Sequence, residues 1–117
     1  MSAPSAAVIF GVRILFDETL PGFEEMEWGV HPWLKRAKDA DLEYRWDKVA
    51  DTETKSHALF VGAVVVTVGP GRAIGAAVSL EQFEALCRVA AGKLAGAGFV
   101  SEFGQPAVWV QWYEDFS

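Results

Sequence analysis

One cysteine, Cys87, stands in the whole chain, which excludes an internal disulfide framework and a cysteine zinc site. Histidine is nearly as scarce, with only His31 and His57. No His-x-x-x-His pair or acid-His signature accompanies them, so the sequence nominates no metal site. Basic residues are few as well. Ten Lys and Arg face 16 Asp and Glu, for a net charge of −6 and a pI near 4.8. That balance argues against a direct nucleic-acid binder, which would neutralise phosphates with clustered Lys and Arg. Long apolar runs are missing too. The longest, Ala58 to Val68, is interrupted by Gly62 and Thr67 and holds about half the residues a bilayer span needs. The first seven residues lack the basic start of a signal peptide. The default expectation is a cytoplasmic protein without a membrane segment.

What the chain does have is apolar content. With 51% hydrophobic and 13% aromatic residues over 117 positions, it can bury enough surface to offset its ordering entropy. The length suits a single domain spanning 1–117.

Ala6 to Phe16 alternate, with Val8, Phe10, Val12, Ile14 and Phe16 on one face and Ile9, Gly11, Arg13 and Leu15 on the other. Period two with β-branched and aromatic residues predicts a strand, and its largely apolar second face predicts a covered one. Asp17 and Glu18 end it. Thr19 to Val30 holds Pro21, Gly22 and Gly29 without a sustained period and reads as a loop. Pro32 opens a short helix ending near Asp39. Asp41 to Lys48 fits a half-exposed strand better than a helical stripe. Ala50 to Ser56 reads as a charged loop. His57 to Val68 is the densest strand, followed by a turn at Gly69-Pro70-Gly71-Arg72 and a return strand, Ala73 to Val78.

Ser79 caps the main helix, with Gln82 at capping-box spacing. Leu80, Phe83, Leu86, Cys87, Ala90, Leu94 and Ala97 form its apolar stripe. Glu84 and Arg88 lie on its solvent side, and Gly92 and Gly96 suggest close approach to the sheet. Gly96 and Gly98 end the helix. Phe99 to Phe103 reads as a short edge strand and Ala107 to Tyr113 as the last strand. The expected fold is α+β in the order β-α-β-β-β-α-β-β. It comprises a mostly antiparallel sheet of five to six strands with two helices, one short and one long, on one face.

No constellation nominates catalysis. Gly69 to Gly75 lacks the spacing of a phosphate loop. No Gly-x-Ser-x-Gly elbow occurs, and Ser79 is accounted for as a cap. Cys87 lies on an apolar stripe, where a thiol is a small core residue rather than a nucleophile. Asp17, Glu24, Glu25, Glu27 and His31 lack the spacing of a calcium loop. No cofactor is implied.

The surface carries the stronger signal. Between Arg13 and Lys35 the chain places Asp17, Glu18, Glu24, Glu25 and Glu27 with no Lys or Arg, interleaved with Leu20, Phe23, Met26, Trp28 and Trp33. Acids steer a basic partner and aromatics anchor it. The sequence therefore predicts a non-enzymatic, acidic protein-interaction module that binds a protein with a basic surface, as an inhibitor or immunity-type protein would. Phe23, Glu24, Glu25, Glu27 and Trp28 form its contact surface. Strands apolar on both faces further predict a homodimer. Two alternatives stand beside this. One is a small-ligand binder or small enzyme with Trp33, Trp46, Trp109 and Trp112 around a pocket and His31 or His57 in it. The other is a structural subunit of a larger assembly.

Overall fold

The computed structural model describes residues 2–49, 55–69 and 77–116, with side chains over 6–49, 55–69 and 77–111. The elements run β1 (Ser2–Phe16), α1 (Phe23–Glu27), α2 (Pro32–Asp39), β2 (Glu43–Lys48), β3 (His57–Val68), α3 (Leu80–Ala97) and β4 (Ala107–Phe116). The fold is α+β with an antiparallel sheet, as the patterning predicts. Among the described residues, however, the sheet has four strands rather than five or six, in the order β2-β3-β1-β4. The described residues form three helices rather than two. The expected loop at Thr19 to Val30 contains α1, and Phe99 to Phe103 forms turns rather than an edge strand. The turn expected at Gly69 to Arg72 and the loop expected at Ala50 to Ser56 lie mostly outside the described residues. So does most of the return strand expected at Ala73 to Val78, whose described residues 77 and 78 are not in a strand.

All three helices close the same way. A residue in the left-handed region follows each, Gly29 (φ +77°), Asp41 (φ +58°) and Gly98 (φ +79°). The next amide then reaches back over the last turn: Val30 to the Glu25 carbonyl, Leu42 to Ala37 and Phe99 to Leu94, at 2.9–3.0 Å. This double-backed end satisfies orphan carbonyls and turns the following side chain toward the helix. Leu42 and Phe99 are buried in consequence. At its start, α3 has the capping box predicted, with Ser79 Oγ accepting from the Gln82 amide at 3.1 Å and Gln82 Oε1 from the Ser79 amide at 3.3 Å.

The sheet's two faces are covered by different means. On the outer face, Val12, Phe16, Leu59 and Val61 pack beneath the helices with Met26, Leu34, Ala37, Leu94 and Phe99. The inner face holds Ala7, Ile9, Ala58 and Phe60, joined by Leu15, Val49, Val64 and Trp109, with no helical residue among them. Ala58 pairs with Leu15, eight residues along β1 from Ala7, which is roughly 27 Å on a straight strand. The cluster therefore runs along this face from one end of β1 to the other.

Within it β1 and β3 meet at a cross-strand glycine pair, Gly11 opposite Gly62. A Cβ on Gly11 would lie 2.0 Å from the Val61 carbonyl oxygen, and one on Gly62 would lie 2.1 Å from that of Phe10. Backbones approach this closely only where both residues lack a side chain. The Gly11 carbonyl accepts a 3.1 Å bond from the Trp109 indole N–H. The same indole has the Arg13 guanidinium 4.7 Å from its ring and stacks with Phe103 at 5.4 Å. Arg13 is held there by Glu102 at 2.8 Å.

The apolar stripe of α3 is used unevenly. Ala90 and Leu94 are buried, whereas Leu80 is 71% exposed. Gly92 and Gly96 do not mark close packing. Both are exposed, with nothing within 4 Å of where a Cβ would sit.

Candidate functional site

Residues 17–31 form an anchored segment between β1 and α2 that lies over the core. Asp17 starts it by accepting from the Thr19 amide at 2.9 Å and from the Thr19 hydroxyl, while Lys55 lies 3.2 Å away. The Thr19 bonds, seconded by Lys55, hold the Asp17 carboxyl below the usual carboxylate range. The chain then turns through Gly22, in the left-handed region at φ +81°, into the five residues of α1.

One side of α1 belongs to the core. Met26 is wholly buried, and Phe23 packs against the rings of Phe16 at 6.1 Å and His57 at 5.3 Å. His57 stacks on Phe16 at 5.2 Å and shares a 2.7 Å bond with Ser56 Oγ. From the opposite side of α1, Glu24 and Glu27 project into solvent, with Trp28 67% exposed directly after them and Val30 64% exposed. Glu24 and Trp28, four apart, lie one above the other. Glu18, Glu24, Glu25 and Glu27 surround an open groove of about 580 Å³ whose apolar lining includes Leu20 and Phe23.

Of the five residues the sequence proposes for contact, the structure brings Glu24, Glu27 and Trp28 together on the exposed side and leaves Glu25 half-buried beside them. Phe23 is instead half-buried and turned toward the core, where it fixes the helix. The segment's second anchor is His31, which the sequence offered only as a ligand-pocket or metal candidate. It is buried and caps α2, its Nδ1 accepting from the Trp33 amide at 3.0 Å while Nε2 donates to the Pro21 carbonyl at 3.2 Å. Both ring nitrogens therefore serve the fold. His31→Ala removes a cap, a buried hydrogen bond and core volume together, for an expected loss of about 2–3 kcal/mol by urea unfolding. His31→Asn, which can still cap, should recover part of it.

The remaining candidates are dispersed. Trp33 and Trp46 abut the outer-face core, whereas Trp109 belongs to the inner-face cluster, and the Trp112 side chain lies outside those described. Burial, with the Glu84 carboxylate adding to it, pushes the Cys87 thiol up, away from the thiolate a nucleophile needs. Among the described residues no group of three His, Cys, Asp or Glu is placed to hold a metal ion, and no helix is long and apolar enough to cross a membrane. No family model and no curated protein matches the sequence, and no solved structure matches the fold.

Proposed function

We propose that the protein is an acidic interaction module, working in a reducing, cytoplasm-like compartment, whose α1 ridge docks onto a protein partner with a basic surface. The observation that supports this most directly is Trp28. A tryptophan left two-thirds exposed on a rigidly anchored turn, flanked by Glu24 and Glu27, combines an apolar anchor with charges that steer association. No Lys or Arg between Arg13 and Lys35 neutralises those charges within the segment. An inhibitor or immunity-type role follows if the basic surface on the partner is its working groove.

The test is selection of displayed peptides on the wild-type chain, with counter-selection on the Glu24→Lys/Glu27→Lys variant. Enriched sequences should combine Lys or Arg with a large apolar residue. Their association should slow roughly tenfold or more between low and high salt. Trp28→Ala should mainly speed dissociation. Peptides without basic enrichment, or ones that bind the double variant and Trp28→Ala as well as they bind wild type, would overturn the proposal.

A further inference from the structure

The two ends of the sheet are guarded very differently. β2, at one end, is six residues long and carries Glu43, Arg45, Asp47 and Lys48, the short, charged composition that discourages edge pairing. β4, at the other, is ten residues long. Its stretch Ala107 to Gln111 has no charge, no proline and no bulge in its pairing with β1. Among the described residues the β4 backbone is hydrogen-bonded to β1 alone. On its outer face Val108 is 51% and Val110 61% exposed, next to their half-buried β1 partners Phe10 and Val8.

We infer that β4 pairs antiparallel with β4 of a second copy across a two-fold axis at Trp109. Two arguments select a second copy as the occupant. First, charge: chains of net charge −6 repel, and Ala107 to Gln111 is a neutral segment at which they can meet. A basic partner is instead drawn to the acids of α1. Second, the segment is self-complementary. In an isologous antiparallel pair centred on Trp109, Val108 faces the partner's Val110 and Ala107 faces the partner's Gln111. Four exposed valines then become one closed apolar row, and both open edges gain a backbone partner. A pairing of five residues a side lies at the low end for specific association, so the dimer dissociates on dilution.

Sedimentation equilibrium between roughly 5 and 500 µM tests this. The wild-type mass should rise from the 12.8 kDa of one chain toward twice that value. Val110→Lys and Val110→Glu, opposite in charge, should each weaken dimerisation at least about tenfold without altering the far-UV spectrum. Amide exchange over Ala107 to Gln111 should slow with concentration in wild type only. A mass fixed at one chain throughout would overturn the inference. So would a dimer that both variants leave intact, or one without concentration-dependent protection of those amides. Glu24→Lys/Glu27→Lys should still dimerise, which separates this surface from the α1 ridge.

Discussion

Gly62→Ala is expected to cost at least about 3 kcal/mol, a large fraction of the roughly 5–15 kcal/mol that holds a domain folded. The added methyl would fall 2.1 Å from the Phe10 oxygen and 2.7 Å from the Gly11 Cα. Both are backbone atoms of the strand to which Gly62 is paired, so no side chain can swing aside. Relief requires β1 and β3 to separate at this pair, which disturbs the Ile9, Ala58 and Phe60 cluster and pulls the Gly11 carbonyl from Trp109. Gly11→Ala meets the mirror-image obstruction and should match it. The double variant should lose less than the sum of the two, because both break one contact. Gly92→Ala is the control: its methyl meets nothing, and removing a helical glycine should gain up to about 1 kcal/mol. Urea unfolding of the four variants checks all of this. A Gly62→Ala protein as stable as wild type would mean that the sheet does not depend on this close approach.

These glycines also mark the limit of what patterning can tell. Alternation in Ala6 to Phe16 and His57 to Val68 identifies two strands apolar on both sides, and the Ser79 and Gln82 spacing identifies the start of α3. Such signals are local, and the structure follows them. What covers a strand's second face is not local. Gly11 and Gly62 become a close backbone contact only once register sets them opposite each other, and no residue nearby in sequence reveals that pairing. The exposed valines lie on the outer face of β4, while Ala7, Ile9, Ala58 and Phe60 on the inner face are buried.

The candidate site was legible in composition and obscure in direction. Its acids and aromatics stand out in a segment without Lys or Arg. A five-residue helix, however, is too short to display a 3.6-residue period, so the inward turn of Phe23 and Met26 could not be separated from the outward turn of Glu24, Glu27 and Trp28. Gly29 was the available clue. Followed by Val30, it has the composition of a helix end, as Gly98 followed by Phe99 does on α3.

If the α1 ridge is a docking surface, its rigidity rests on Met26, and Met26→Ala should cost about 2–4 kcal/mol through the cavity it leaves. The side chain is wholly buried in the cluster that contains Val12, Phe16, Leu59 and Leu94, residues of both central strands and the main helix. The loss should therefore appear as a lower global unfolding midpoint. Amides of β3 and of α1 should lose exchange protection together, because α1 is built into the core it covers. Met26→Leu, which nearly preserves volume, should cost under about 1.5 kcal/mol. Fraying of residues 23–30 with unchanged protection in β3 would instead make α1 a loosely laid flap. Trp28 would then have to be ordered at the moment of binding, and the partner's affinity would fall by that ordering cost.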